Sequence, residues 1–204
     1  MADPAYALCT TTRVKQLLGL TGTTYDTQIE YIVGACALAA EKYCNRVFVT
    51  RSASTTEYLD VQDSGILDLF VAQPPIATIT SIYEDSSRTY GAETALTDGT
   101  HYVFYGSQGR LRRLGGGWAQ GEKSVKITYT GGYANTAAIP LDLSEACASM
   151  CCYVWKQNKP HSGERIGIGS HSIEGQSVSY VQGAPQYIRD VYDRYVIGRI
   201  GIWP

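Results

Sequence analysis

The apolar residues of this chain follow two different periods, and the longest helical run organises the rest. From Thr24 to Arg46 they recur at three- and four-residue steps, which places them on one helix face. Thr24 or Asp26 is the predicted N-terminal cap. Burying this face contributes on the order of 10–20 kcal/mol, whereas ordering the segment costs roughly 20–40 kcal/mol, so other segments must cover it. The face consists of Ile29, Ile32, Val33, Cys36, Ala40, Tyr43 and Cys44.

Three further segments share the helical period. Thr11 to Leu18 predicts a short helix capped by Thr10 or Thr11. A third helix begins after Pro140 and is the best candidate to cover the long one, and a last helix begins at Pro185. Their predicted inner faces are Val14, Leu17 and Leu18 in the first, Leu143, Ala146, Cys147, Met150, Cys151, Val154 and Trp155 in the third, and Ile188, Val191, Tyr192, Tyr195 and Val196 in the last.

Between the second and third helices the period changes to strict alternation. The stretches TEYLDV, GILDLF, TITSIY, HYVFY and SVKITYT, from about Val47 to Tyr133, predict short antiparallel strands. The Pro74-Pro75 pair and the Asp98-Gly99 dipeptide mark turns between them. We therefore predict an α+β fold: a frame of four helices with an inserted antiparallel β-sheet or small barrel.

The 204 residues fit a single domain. Its predicted parts are a helical frame from residues 10–46, 140–158 and 185–197, a β insertion from 47–133, an extended arm from 157–184 and a C-terminal docking tail from 198–204. Within the polar arm, Ile166 and Ile168 pair with Ser177 to Val181 in a predicted hairpin. The apolar tail, GRIGIWP, is expected to dock on another molecule.

Composition narrows the choice of partners. A formal net charge of −2 gives no general attraction to nucleic acid or acidic membranes. We expect no signal peptide and no membrane span, because no basic segment precedes an apolar one at the start and no apolar run is long enough. The six cysteines are expected to be reduced thiols in the core. The 16 tyrosines favour interface contacts.

The ordered set of motifs resembles a known family. The stretches VKQLLGL, IEYIVGACALAAEKYCNRVF, QPPIATITSIYED, LTDGTHYVFY, VKITYTGGY and AIPLDLSEACASM, followed by a helix opened by Pro185, cover nearly the whole chain. In this order they resemble the head-tail connector, or adaptor, family of tailed bacteriophages.

This resemblance implies a non-enzymatic structural protein of the virion neck, assembled in the host cytoplasm. It implies a ring of about twelve copies that binds beneath the portal protein, extends the DNA channel, retains packaged DNA without sequence-specific contacts and offers a docking surface to the next neck or tail protein. It implies no catalytic residue, and from the residues themselves we expect no cofactor and no metal. A closed ring needs two different complementary faces on each subunit, and the arm and the tail are the expected positions for such contacts.

The segment GRLRRLGGGW is the strongest local charge feature. Its arginines are candidates for contact with DNA phosphates or with a carboxylate-rich partner; the alternative is an exposed strand edge that the arginines keep soluble. The candidate interface residues are Arg110, Arg112, Arg113 and Trp118 here, Arg165, Ile168 and Tyr180 in the arm, and Arg199, Ile200, Ile202 and Trp203 in the tail.

Other polar groups give no argument for catalysis. Cys147, Cys151 and Cys152 have no histidine at ligand spacing, so core packing is the preferred interpretation. The acid pairs Asp60/Asp63 and Glu84/Asp85 fall at strand ends or turns, where solvated carboxylates are expected. Three alternatives stay open: another neck or tail-completion ring protein, a small enzyme with a β-rich substrate domain, and a nucleic-acid-binding module that uses the arginine strand.

Overall fold

The computed structural model of the protein describes residues 3–51, 53–157, 170–173, 176–179 and 184–196. The chain divides into two compact units. The helical unit comprises Met1–Val49 and Asn135–Pro204, and the β unit comprises Thr50–Ala134. This division follows the change of apolar period along the sequence, and the predicted α+β class is confirmed.

The described part of the helical unit contains the four predicted helices. They are α1 (Thr11–Leu18), α2 (Asp26–Cys44), α3 (Leu141–Gln157) and α4 (Gln186–Asp193). Helix α3 packs against α1, α2 and α4, so the prediction that it covers α2 is confirmed. The side chains of these helices that are almost completely buried are Val14, Ile29, Val33, Ala37, Ala40, Cys44, Leu143, Cys147, Ala148, Cys151 and Ile188.

The ends of α1 and α2 show which predicted caps form. Thr10 caps α1, because its side chain accepts a hydrogen bond from the Arg13 N–H. The predicted cap of α2 is wrong: its N-cap is Tyr25, without a side-chain bond, while Asp26 instead accepts the Lys15 ammonium at 2.5 Å. Helix α2 ends before Arg46 because Asn45 adopts a left-handed conformation with φ 53°.

Two predicted inner positions are on the surface. Leu17 of α1 is 42% exposed and Tyr43 of α2 is 43% exposed. The Tyr43 hydroxyl donates a hydrogen bond to Asp193 Oδ1 at 2.7 Å, so its polar end is satisfied at the surface. The inner faces of these helices are therefore narrower than the apolar period suggests.

The β unit contains two open antiparallel sheets and no closed barrel among its described strands, so the barrel alternative is wrong. The sheets have the strand orders β1-β7-β3-β4 and β2-β6-β5. The strands are β1 (Thr55–Val61), β2 (Asp68–Phe70), β3 (Ile76–Glu84), β4 (Ala95–Leu96), β5 (Tyr102–Tyr105), β6 (Arg110–Arg113) and β7 (Gly121–Gly131).

The core of the β unit is formed by residues of both sheets together with Trp118. Its fully buried side chains include Ile82, Leu111, Trp118, Ile127 and Tyr129. Gly109 turns the chain from β5 into β6 with φ 63°, and a Cβ at this position would lie 2.8 Å from Pro74 Cβ. The glycine thus allows β6 to pass close to the Pro74-Pro75 turn.

A hairpin lies within the predicted arm. Strand β8 (Ser170–Ile173) pairs antiparallel with β9 (Gln176–Ser179). The second strand overlaps the predicted Ser177 to Val181, whereas Ile166 and Ile168 are outside the described residues. Among the described helices, none combines the length and the apolar character that crossing a membrane requires.

Candidate functional site

Strand β6 carries the three candidate arginines. It is the middle strand of its sheet, between β2 and β5, so its interpretation as an exposed edge is wrong. Because side chains alternate along a strand, Arg110 and Arg112 lie on one face of the sheet and Arg113 lies on the other. The three arginines therefore do not form one cationic patch.

Arg113 is held inside the β unit by an ion pair. Its Nε and Nη2 donate to Glu84 Oε2 at 3.1 and 2.9 Å, and its Nη1 donates to the His101 carbonyl at 2.6 Å. The two charged side chains are only 17% and 11% exposed. Glu84 Oε1 also accepts the Ala119 N–H at 2.7 Å. Glu84 thus joins β3 both to Arg113 of β6 and to the segment after β6, and its interpretation as a solvated acid is wrong.

Trp118 is completely buried in the same unit. Its indole N–H donates to the Leu67 carbonyl at 2.9 Å, and its ring centroid lies 5.9 Å from the Arg113 guanidinium carbon. A buried indole with a satisfied N–H is a core side chain. Trp118 is therefore not exposed on the described surface, although the sequence indicated it as a candidate interface residue.

The opposite face of this sheet is exposed and combines arginines with aromatic rings. We call it the arginine–aromatic face and define it as Asp68, Phe70, Tyr105, Arg110 and Arg112. Register places Phe70, Arg110 and Tyr105 in one cross-strand row. Phe70 is 53% exposed and Tyr105 is 39% exposed. The Arg110 guanidinium carbon stacks 4.0 Å from the Tyr105 ring centroid, so the cation and the ring present one continuous surface.

The charges on the arginine–aromatic face are unbalanced. Asp68 Oδ2 accepts a hydrogen bond from Arg112 Nη1 at 3.3 Å and lies 4.0 Å from Arg110 Nη1. One carboxylate thus faces two guanidinium groups. In addition, Asp68 Oδ1 and Arg110 Nε are buried without a hydrogen-bond partner among the described residues. The face has a local excess of positive charge, which suits a partner surface that carries carboxylates.

The other predicted interface residues cannot be placed. Those of the arm and of the tail lie outside the described residues. They are Arg165, Ile168, Tyr180, Arg199, Ile200, Ile202 and Trp203.

A second exposed surface was not predicted and lies on helix α2. Tyr31 is 80% exposed and Leu38 is 44% exposed, and Ala35 and Ala39 between and beside them are also exposed. Their spacing of three, four and seven residues places them on one face, which we call the outer stripe of α2. A helix that is apolar on its inner and outer sides is normally buried on both. The signal was present in the sequence, because α2 has apolar residues all around its central turns.

Five of the six cysteines are buried thiols, as predicted. All six are free and all except Cys152 are buried. The Sγ atoms of Cys9, Cys147 and Cys151 lie within 4.8 Å of one another, a grouping that could hold a metal ion. Hydrogen bonds from the Cys147 and Cys151 thiols lower the pKa of Cys9 below that of an ordinary thiol. No local sequence pattern places Cys9 in this cluster, since it is distant along the chain from Cys147 and Cys151.

Asp85 is a second acid whose predicted solvation is wrong. It is 8% exposed and accepts hydrogen bonds from the hydroxyl and N–H groups of Ser87 and Thr89 and from the Tyr90 N–H. These bonds, the Ser87 hydroxyl's first, hold the pKa of Asp85 well below its usual range. Asp85 therefore organises the loop after β3 and is not a candidate general acid.

The comparisons with known proteins agree with this fold. A family model described as "Head completion protein" matches residues 7–196. No curated protein matches the chain.

Solved structures of gene transfer agent (GTA) particles contain chains of similar fold. One is from the neck of an empty GTA particle computed with C6 symmetry, with 19% identity, a TM-score of 0.59 and coverage of 98% of this chain and 94% of that chain. Another is from the virion of a native particle, with 18% identity, a TM-score of 0.58 and the same coverage. A third is from the neck of a native particle computed with C12 symmetry, with 18% identity, a TM-score of 0.55 and again the same coverage.

Proposed function

The chain belongs to the head completion protein family, and from this premise we propose that it is a head-tail connector in the neck of a tailed phage or phage-like particle. In this role it forms a ring under the portal protein, extends the DNA channel, retains the packaged DNA and provides the docking surface for the next neck or tail protein. The single observation that carries the proposal is the family match over residues 7–196.

The ring assembly has support from the similar structures. The GTA necks were computed with C6 and C12 symmetry, and the matching chains share the fold of this one over 98% of its length. We propose that this chain also forms a ring, with about twelve copies around one axis. Ring closure makes many weak contacts act together, so no single contact has to be strong.

The outer stripe of α2 is the proposed contact with a second copy of this chain. A heterologous ring needs an apolar patch on each subunit that fits a different patch on its neighbour. Tyr31 and Leu38 expose the largest apolar side chains of the stripe, and the small Ala35 and Ala39 allow a neighbouring backbone to approach closely. Burial of this stripe against the next subunit would remove from water the apolar side of α2 that its own unit leaves exposed.

The arginine–aromatic face is the proposed contact with the portal or the downstream neck protein. The two positive charges of Arg110 and Arg112 exceed the single negative charge of Asp68, so the face favours an acidic protein surface. Phe70 and Tyr105 add apolar area beside these charges. The formal charge of −2 for the whole chain gives no general electrostatic attraction to DNA, which suits a protein that surrounds a DNA channel without holding the DNA tightly. The role is structural and needs no catalysis.

Electron microscopy of the purified chain, with and without the portal protein of the same phage, tests the proposal. We expect ring-shaped particles that stack on the portal. The double variant Tyr31→Lys with Leu38→Lys should abolish the rings while circular dichroism shows an unchanged helix content, because both side chains are exposed.

Tyr187→Lys is the matched control, since Tyr187 is 57% exposed and belongs to α4 and not to the helix that carries the outer stripe; its variant should assemble normally. A chain that stays monomeric at high concentration and with portal would overturn the proposed function. Equal loss of rings in the Tyr187 variant would overturn the assignment of the stripe.

Removal of residues 198–204 tests the predicted docking tail. We expect this truncated chain to keep its fold and to lose portal binding, because the apolar tail is the proposed contact. Sedimentation with portal measures the loss, and unchanged binding would remove the tail from the interface.

A further inference from the structure

Four cysteines from three separate segments meet in the core of the helical unit. Cys147 and Cys151 are four residues apart and therefore lie on one face of α3. Cys9 comes from the segment before α1, and its Sγ lies within 4.8 Å of both. Cys36 of α2 supplies a fourth buried sulfur that influences the Cys151 thiol, although it is outside the group of three sulfurs that lie within 4.8 Å of one another. All four are buried, with exposures of 0% for Cys9, Cys147 and Cys151 and 5% for Cys36.

The spacing of these sulfurs is close to that of a metal site. A disulfide needs sulfurs about 2.05 Å apart, and all of these cysteines are free. Tetrahedral zinc has Zn–S bonds of about 2.3 Å, which puts neighbouring sulfur atoms about 3.8 Å apart. For Cys9, Cys147 and Cys151, the upper limit of 4.8 Å exceeds this value by about 1 Å, a difference that small side-chain rotations can close. Cys36 has to move farther to become the fourth ligand.

The ligand chemistry also selects a particular class of ion. Sulfur ligands in a dry site favour soft cations, and among common divalent ions zinc is the one that takes three or four cysteines without a geometric preference of its own. The three grouped ligand atoms are all cysteine sulfurs, whereas magnesium and calcium require oxygen ligands.

We propose that Cys9, Cys147 and Cys151 form a structural zinc site, with Cys36 as the fourth ligand. The bound ion joins the segment before α1 to α2 and α3, and its binding free energy adds to the stability of the helical unit. The proposal concerns the folded chain and does not depend on the function proposed above.

Metal analysis of the full chain tests this site. The protein is purified under anaerobic, thiol-protected conditions, supplied with zinc, desalted and analysed by mass spectrometry of the metal content. We expect one zinc per chain and a higher Tm with zinc than after treatment with a chelator. In the zinc-free protein, Co²⁺ should give the thiolate-to-cobalt charge-transfer band and the visible bands of a tetrahedral sulfur site.

Cysteine variants identify the ligands. Cys9→Ser and Cys147→Ser should both lose the zinc and the cobalt spectrum, while Cys152→Ser, which changes the adjacent cysteine outside the cluster, should keep them. Cys147→Ala is a second variant with an apolar side chain at the same position, and circular dichroism confirms that each variant is folded.

The wild-type chain alone can refute the site. Absence of zinc after reconstitution, together with a cobalt spectrum that lacks the charge-transfer band, overturns the proposal without any variant. Equal zinc content in the wild type, Cys9→Ser and Cys147→Ser also overturns it.

Discussion

The helical unit and the β unit use different contacts to join segments that are distant in sequence. In the helical unit, aliphatic side chains and thiols fill the space between helices, and the ion pair of Arg13 with Glu145 is on the surface, with 42% and 36% exposure. In the β unit, acidic side chains bond to the backbone of other segments. Glu57 accepts the Ala72 N–H at 3.0 Å, and Glu84 accepts a backbone N–H in addition to its arginine.

The difference shows which kind of contact fixes each unit. Apolar stripes determine which helix faces meet, whereas the loops of the β unit are held by carboxylates that satisfy buried N–H groups. Glu41 is the corresponding case in the helical unit: it is 7% exposed, and its Oε1 accepts the Phe48 N–H at 3.1 Å. The contrast between the units is therefore one of degree, and substitutions in both units test it.

Trp118→Ala should have the largest effect, because it empties the volume of a fully buried indole. We expect a loss of about 3–5 kcal/mol in the free energy of unfolding of the β unit, measured by urea denaturation. Trp118→Phe should cost less, since it keeps a ring and loses the bond to the Leu67 carbonyl. The far-UV circular dichroism of the helices is followed in the same titration. If it reports the same loss in the free energy of unfolding, the two units unfold together, and the difference in their contacts does not give them separate stabilities.

Glu84→Gln tests whether a buried ion pair holds the β unit. The substitution leaves the Arg113 guanidinium, only 17% exposed, without its counter-charge. We expect a loss of about 3 kcal/mol in the free energy of unfolding, from urea denaturation at neutral pH. Glu122→Gln removes an exposed acid from strand β7 and is the control; a similar loss there would show a general charge effect.

Asp85→Asn should change the pH dependence of stability. The pKa of Asp85 is lowered in the folded state. The contribution of its charge to the free energy of unfolding is therefore complete above the pKa of the unfolded chain, about 3.9, and is lost as the pH falls below that value. We expect the wild type to exceed the variant in unfolding free energy at pH 7, with a difference that shrinks toward pH 3. Denaturation curves across this range measure it, and a constant difference would contradict the role of the charge.

Arg13→Gln should have the smallest effect, because the Arg13–Glu145 pair is exposed to solvent. The pair holds α1 to α3 with bonds of 2.7 and 2.9 Å, but water and salt screen it. We expect a small decrease in Tm at low salt that disappears at high salt. A decrease that is as large as that of Glu84→Gln would show that ion pairs also determine the helical unit.

The sequence was sufficient for elements that an apolar period defines. Helix α1 has the predicted bounds and its cap at Thr10, and all five alternating stretches contain strands. The buried side of α3 was also predicted, because Leu143, Cys147 and Cys151 repeat every four residues.

Contacts between distant residues could not be predicted in the same way. The pairing of Arg113 with Glu84 depends on the order of strands in two sheets, and no local pattern determines that order. The central position of β6 and the burial of Trp118 follow from the same topology. Cys9 joins Cys147 and Cys151 through tertiary packing alone, so sequence spacing gave no sign of the cluster.

The two ends of the β unit are hydrogen-bonded neighbours. The Thr50 N–H donates to the Tyr133 carbonyl at 2.9 Å, and the Thr50 hydroxyl donates to the Gly131 carbonyl at 2.9 Å. When the first and last residues of an insertion are neighbours, the insertion can be lengthened, shortened or exchanged by recombination as one cassette. The chain on either side of it then keeps its course. Related particles could in this way vary what the cassette contacts while they keep the same helices.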